Sequence, residues 1–334
     1  MKTWNIIGIR RYGYLLSLLV MAAGLVAIFT SGINFGIDFT GGTLLDVRLG
    51  RDASLEEIRT VLASFGDENA VIQQSPDRPR QVLIRTEPLD EAMTARLTNA
   101  LRDRFGGIEV LLAERVGPKI GRELRNQAIL AVVIGLLLQI IYISWRFRSV
   151  RFALTADIAL VHDLIVVIGL YALTRRQVDS SFVAVLLTVV GYSINDTVVV
   201  FDRIREIMGL RIRASYPELV NRSILEVLTR SLTTGTGAIM AIVAIYFLGG
   251  VTIRDFAFGL AVGIITGTYS SIFVASPLLV EWHLWSERRV RRGAAGPAPA
   301  TETVGAPMIA SGRRITPSSS AGDPALRNVV IGLP

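Results

Sequence analysis

The sequence of 334 residues contains no cysteine, two histidines and two lysines. The missing thiol excludes disulfides, thiolate metal sites and a cysteine nucleophile. His162 and His283 cannot build a histidine zinc site by themselves, so no metal site is expected. Charge is scarce too: 19% of residues are charged and 51% are hydrophobic, against about 25% charged in an ordinary globular chain. With a mean hydropathy of +0.48, long stretches must be nearly charge-free. That pattern argues against a soluble enzyme and for a membrane protein. The formal net charge of +7 comes from arginine, because Lys2 and Lys119 are the only lysines. Such an excess fits either nucleic-acid binding or the arginine bias that orients membrane helices; where the arginines sit decides.

A spanning helix needs about 20 mostly apolar residues. Six runs qualify, over residues 12–31, 126–145, 152–173, 182–201, 231–248 and 256–280. The first follows Arg10 and Arg11, but its apolar run is too long for a signal peptide and no clear cleavage site follows; it reads as an uncleaved anchor. Arg146, Arg148 and Arg151 lie between spans two and three. Arg203, Arg205, Arg211, Arg213 and Arg222 lie between spans four and five, and Arg288, Arg289, Arg291 and Arg292 follow span six. The opposite side has Arg175, Arg176 and Arg254 in its short loops. The asymmetry predicts both termini in the cytoplasm, and it removes the case for a nucleic-acid partner.

The segment 33–125 is then extracytoplasmic. Residues 44–49 alternate as a strand. Ser54 and Glu57 form a capping box for a helix with Leu55, Ile58, Val61 and Leu62 on one face. Strands over 70–73 and 82–85 flank the turn residues Ser75-Pro76-Asp77-Arg78-Pro79. Asp90 caps a second helix, and 108–112 is a last strand. The order β-α-β-β-α-β predicts a ferredoxin-like split fold, without a nucleophile–base pair or a phosphate loop. The expected organisation is a first span over 1–32, a small α+β ferredoxin-like domain over 33–125, five further spans over 126–285, and a tail over 286–334. The last is rich in Gly, Ala, Pro, Ser and Thr and reads as disordered, with a short apolar element at 329–331. The fold class is an α-helical polytopic membrane protein with six transmembrane helices.

Ionisable groups inside spans cost about 2.5 to 3.5 kcal/mol each at the helix centre and usually face the bundle interior. Span three carries Asp157, His162 and Asp163; span four carries Asn195 and Asp196; Arg230 opens span five. Asp157 is close enough to Arg148 and Arg151 to snorkel towards them. Asp163 sits near mid-membrane. Asp196 and Arg230 can share a level and form a pair. Tyr192, Ser193, Val200 and Arg203 share the Asp196 stripe, and Thr233, Thr234, Gly237 and Ala241 share the Arg230 stripe. Two readings of Asp196 follow. One is a static salt bridge; the other is a carboxylate whose protonation depends on whether Arg230 stands beside it. For His162–Asp163, a structural hydrogen-bonded pair and a relay element both fit. Gly259, Gly263 and Gly267 form a small-residue ridge that reads as helix packing.

Several segments resemble the SecD/SecF family, on its SecF side. They are Gly36-Ile37-Asp38-Phe39-Thr40-Gly41-Gly42, Val116-Gly117-Pro118-Lys119-Ile120-Gly121, His162-Asp163, the run from Gly191-Tyr192-Ser193-Ile194-Asn195-Asp196-Thr197 to Ile204-Arg205-Glu206, and Thr229-Arg230-Ser231. The resemblance implies an RND-superfamily unit in the inner membrane. It implies pairing with SecD, work with the SecYEG channel and a translocating preprotein, and room for other accessory membrane subunits. The proton gradient, with no cofactor, would promote late translocation, and Asp196 and Arg230 would be the proton-coupling pair. The residues themselves assign Gly36, Gly41 and Gly42 to a tight backbone passage, with Asp38 capping or bonding that turn. Two rival functions share this architecture: half of a proton-coupled exporter of small molecules or lipids, and an assembly scaffold without proton coupling.

Overall fold

The computed structural model describes residues 4–67, 70–75, 78–210 and 213–294. The chain from 295 onward, with the apolar element at 329–331, lies outside the described residues, as do Pro76, Asp77 and Arg211. The first helix, α1 (Arg10–Ser31), leads to a short strand β1 (Asn34–Phe35) and a single turn α2 (Ile37–Thr40). The insert follows as β2 (Gly42–Leu49), α3 (Leu55–Ala63), β3 (Val71–Ser75), β4 (Arg78–Thr86), α4 (Glu91–Arg104) and β5 (Ile108–Val116). The membrane helices resume with α5 (Pro118–Phe147) and α6 (Val150–Leu173). A short strand β6 (Gln177–Val178) precedes α7 (Ser180–Gly209) and α8 (Tyr216–Leu248). The last span is α9 (Val251–Ser270), a π turn (Ser271–Ala275) and α10 (Ser276–Ala294). Among the described residues, six helices are thus long and apolar enough to cross a membrane. The protein is a multi-pass α-helical membrane protein with a small α+β insert.

In the insert the sheet order is β3-β4-β2-β5, with antiparallel neighbours throughout. This is the split βαβ arrangement that the element order predicts. Alternation places Leu45, Val47 and Leu49 of β2 on one face with Val82 and Ile84 of β4. There they meet Ile58 and Leu62 of α3 and Leu97 and Leu101 of α4, all buried. The second face holds a smaller cluster of Ile37, Leu44 and Leu83, and Asp46 is buried there with both oxygens accepting from the Gln81 amide (3.0 and 2.8 Å). Ser54 caps α3 as expected: its hydroxyl accepts from Glu57 N–H (3.2 Å), and Glu57 accepts from Ser54 N–H (3.1 Å).

Two helices begin earlier than hydropathy alone indicates. α5 starts at Pro118, not 126, because proline fits the first helical position. α8 starts at Tyr216, not 231. Glu218 accepts from the Ser215 N–H (2.9 Å) to cap it, and Arg222 pairs with Glu226 one turn on (2.8 Å). These charges lower the hydropathy without breaking the helix, so Arg230 lies near the middle of α8 instead of opening it. At the other end of the chain, α10 runs to Ala294, past the expected start of the tail at 286.

The bundle core is the packing of α9 on α7. Side chains added at Gly259 and Gly263 would run into Tyr171 and Val185, and into Val189; a Cβ at Gly267 would lie 2.9 Å from Ser193 Cβ. Val185, Val189 and Ser193 recur at the helical spacing of the glycines, so ridge meets ridge with no room between. A second close approach joins α1 to α6, where a Cβ at Gly24 would lie 2.8 Å from Gly169 Cα. The Arg10–Glu281 ion pair (2.7 Å) puts the start of α1 and the middle of α10 at one end of the bundle.

Gly263→Val should therefore overpack this seam at a cost of about 1–3 kcal/mol. Gly237→Ala, with nothing within 4 Å of its Cβ, should be neutral. Thermal unfolding of the purified protein in detergent checks both, and equal midpoints would contradict the packing. In the insert, the Arg51 guanidinium and the Ser54 N–H hold the Glu57 carboxyl below its usual range. The cap's contribution is present above the ordinary carboxylate pKa and is lost as pH falls through the lower folded value. Protection factors of the amides at the start of α3, corrected for the intrinsic pH dependence of exchange, should fall on acidification, and Glu57→Gln should remove that pH dependence.

Candidate functional site

Helices α6 and α7 carry three buried carboxylates, Asp157, Asp163 and Asp196, and α9 meets the last two. Asp163, near the middle of α6, is fully buried. Its Oδ2 accepts from Ser193 Oγ of α7 (2.5 Å) and Ser270 Oγ of α9 (2.7 Å). Its Oδ1 lies 3.0 Å from His162 Nδ1. A carboxylate so deep is tolerable only with such partners.

Asp196, near the middle of α7, is also buried. Its Oδ2 accepts from Thr268 Oγ1 of α9 (3.0 Å). Ser231 of α8 is buried beside it, without hydrogen-bond geometry. Tyr192, one turn earlier on α7, has a buried hydroxyl with no hydrogen bond. Asp196 thus occupies a hydroxyl-lined junction of α7, α8 and α9. Thr197 Oγ1 and Ser271 Oγ, one residue further along the chain than Asp196 and Ser270 respectively, are bonded to each other (2.8 Å). There α9 gives way to the π turn, whose slack Ser276 Oγ takes up by donating to Ser271 O (2.8 Å). Single π turns of this kind are frequent at functional sites.

The expected pairings are only partly realised. Ser231 places Asp196 and the Arg230 segment of α8 at one level. Arg230 itself is exposed, and its charge acts on Asp196 without an ion pair among the described residues. The reason is angular: Ser231 takes the inward position, which turns its neighbour outward. Asn195 is exposed for the same reason, being displaced about 100° from Asp196 around α7, and the structure does not bring it to the carboxylates. Ser193 serves Asp163, not Asp196. Asp157 does not snorkel to Arg148 or Arg151. It is buried, and neither carboxylate oxygen has a hydrogen-bond partner.

The glycine segment after α1 joins the insert to the bundle. Gly36 N–H donates to Val178 O (2.8 Å), and β1 pairs in parallel with β6. Asp38 bonds not its own turn but the start of α7, accepting from Ser180 N–H (2.8 Å). Gly41 has φ +78°, and a Cβ there would lie 2.9 Å from Pro118 Cα; only glycine combines that dihedral with that approach.

Sequence reasoning missed Thr268, Ser270 and the π turn. The run Thr266-Gly267-Thr268-Tyr269-Ser270-Ser271, dense in hydroxyls inside an apolar span, was the available signal.

The comparisons with known proteins agree with this architecture. A family model described as "Protein export membrane protein SecD/SecF, C-terminal" matches residues 96–285. The chain belongs to the SecD/SecF family. A second model, "SecD/SecF GG Motif", matches residues 26–53, the stretch containing the glycine passage. Among similar proteins, the protein translocase subunit SecF of Thermobaculum terrenum is 39% identical over 306 residues, covering 86% of this chain and 96% of its own. The SecF subunit of Pseudomonas aeruginosa is 38% identical, covering 85% and 93%. The crystal structure of SecDF from Thermus thermophilus, a translocon-associated membrane protein, is 40% identical with a TM-score of 0.78. That match covers 84% of this chain and 39% of the SecDF chain, so this chain spans about two fifths of that longer protein.

Removing both hydroxyl donors of Asp163, by Ser193→Ala with Ser270→Ala, should destabilise the bundle by about 1.5–3 kcal/mol for each charged hydrogen bond lost. Adding Asp163→Leu to the pair should recover much of the loss. Thermal unfolding of the three variants checks this; no gain on adding Asp163→Leu would contradict a carboxylate stabilised by these donors.

Proposed function

We propose that this chain is the SecF-like half of a Sec translocase unit. It pairs with a SecD half, works beside the SecYEG channel, and uses the proton gradient, without a cofactor, to promote late stages of preprotein translocation. It sits in the inner membrane with both termini in the cytoplasm, as the arginine asymmetry requires. Asp196 takes and releases the proton, and Arg230 sets the stability of its charged form.

The observation that carries this reading is the Asp196 junction: a buried carboxylate on α7, bonded to Thr268 of α9, with the Arg230 charge acting on it from α8. Protonation removes the charge that Thr268 and Arg230 favour, so it alters how α8 and α9 sit on α7. Each proton that crosses contributes about 2.3 kcal/mol per 100 mV, enough to bias a rearrangement of a few kcal/mol.

The far end of α9 offers a route to the insert. Tyr171 donates to Asp255 O (2.5 Å), and Asp255 holds Arg176 and accepts from Gln177 N–H (3.2 Å). Gln177 and Val178 form β6, which pairs with β1 at the glycine passage. A shift of α9 at Asp196 is thereby transmitted to the element on which the insert is mounted.

Asp196→Asn in the complex with its SecD partner should abolish the gradient-dependent part of preprotein translocation while leaving assembly intact. Completion of translocation into membrane vesicles, with and without the gradient, measures this. Full gradient dependence in the variant would overturn the assignment.

A further inference from the structure

The proposed function leaves the second carboxylate, Asp163, and its neighbour His162 without a task. His162 is buried, with its Nδ1 on Asp163 Oδ1 (3.0 Å). Its other ring nitrogen, Nε2, is buried and makes no hydrogen bond to the protein. Both tautomers and the imidazolium need a partner there, because Nε2 is either a bare acceptor or an N–H donor in every state. An unpaired buried polar atom of this kind costs about 1–3 kcal/mol.

His162 lines a recess of about 220 Å³ between α1, α6 and α9, open to the bundle surface beside the exposed Leu16 and Ile265. Leu16, Val20, Val166 and Ile265 make its apolar wall. Its polar groups are Ser17, Thr266 and Tyr269. Ser17 Oγ lies 3.3 Å from Tyr269 Oη, and Tyr269 donates to Gly13 O (2.7 Å). A buried water needs space for one probe sphere and two to four polar partners. This cavity has ample volume, and His162 Nε2, Ser17 Oγ, Tyr269 Oη and Thr266 Oγ1 supply the partners. Apolar lining alone would leave such a space dry; a histidine nitrogen does not.

We propose that this cavity is a water-binding site and that it gives the His162–Asp163 pair a protonation route of its own, separate from Asp196. A proton delivered by cavity water bonds to Nε2. The proton on Nδ1 then passes to Asp163 Oδ1, so the imidazole ends neutral in its other tautomer and Asp163 ends neutral. The pair gains one proton. Asp163 loses its charge while two donors, Ser193 of α7 and Ser270 of α9, still point at it, and its new Oδ1–H donates to His162 Nδ1. Among the described residues, Tyr269 of α9 is the titratable side chain in ring contact with the pair (centroids 6.4 Å); Ser17 of α1, Ser193 of α7 and Thr266 and Ser270 of α9 contribute hydroxyls, and Asp196 lies three residues beyond Ser193 on α7. The proposal extends the proton-coupling reading of this family member, but it does not pass through Asp196.

The test uses the small histidine count. In the His283→Gln variant, selective ¹⁵N-histidine labelling reports His162 alone. In the complex assembled with an unlabelled SecD partner in lipid bilayers, water-edited magic-angle-spinning NMR should show magnetisation passing from water to Nε2. Spectra recorded from about pH 5 to pH 8, the window in which histidine charge changes are ordinarily seen, should show the ring passing from one tautomer to the other. Ser17→Val with Thr266→Val should dry the cavity and remove the water transfer, with the complex still assembled. Absence of water transfer in the parent, or ring signals constant across that range, would overturn the proposal. Asp196→Asn in the same background separates the two readings. If it leaves translocation gradient-dependent while His162 stays hydrated and titrates, the Asp196 assignment falls and the His162 site stands.

Discussion

Everything polar inside this bundle depends on how closely α9 lies against α7. Three glycines on α9 face Val185, Val189 and Ser193 with no space for a side chain between them. That approach allows hydroxyls of α9 to reach carboxylates rooted on two other helices. With the helices a methyl group further apart, the bonds of 2.7 Å from Ser270 to Asp163 and 3.0 Å from Thr268 to Asp196 would open, leaving two buried charges underserved. Between helices in lipid, where apolar burial gives no net driving force, small-residue contact and interhelical hydrogen bonds are what remain. Here α9 supplies both, the first through Gly259, Gly263 and Gly267 and the second through Thr268 and Ser270.

That sharing has a mechanical consequence. Because α9 is bonded to both Asp163 and Asp196, the two carboxylates share one helix as a hydrogen-bond partner. The π turn begins immediately after those residues, at Ser271. A π turn carries one residue more per hydrogen-bonded ring than an α turn, so a register change there shifts one part of the span relative to the other. On the insert side α9 is tied through Asp255 to Arg176 and Gln177. On the other side α10 is held to α1 by Arg10–Glu281. The compliant element therefore sits between two anchored ends.

Most of the fold was legible in the sequence because hydrophobic periodicity and caps are local signals. The split βαβ insert followed from strand and helix order, with Ser54–Glu57 and Asp90 marking the helix starts; both caps are formed. Helix lengths were less legible where charges are compensated within the helix, as in the first half of α8. The site was legible as residue types but not as partners. Asp163 and Asp196 were identified by being charged in apolar runs, whereas Ser193, Thr268 and Ser270 are ordinary in such helices and gain meaning only across an interface. The orientation of Arg230 was not legible either. A one-residue difference on a helix turns a side chain by about 100°, more than reasoning about shared depth can resolve.

Arg230 and Asn195 together bear on what surrounds the bundle. Both lie near the middle of spanning helices and both face outward from α8 and α7. Lipid is a poor neighbour for either: an arginine at the helix centre costs about 2.5–3.5 kcal/mol even on insertion scales. The apolar residues that line the outer faces of α1 and α5 carry no such penalty. The outer surface is therefore of two kinds, one suited to lipid and one that calls for a polar counterpart at mid-membrane. A homologous half with its own intramembrane charges would meet the second kind, and it would do so on the helices whose inner sides bear Asp196 and Ser231.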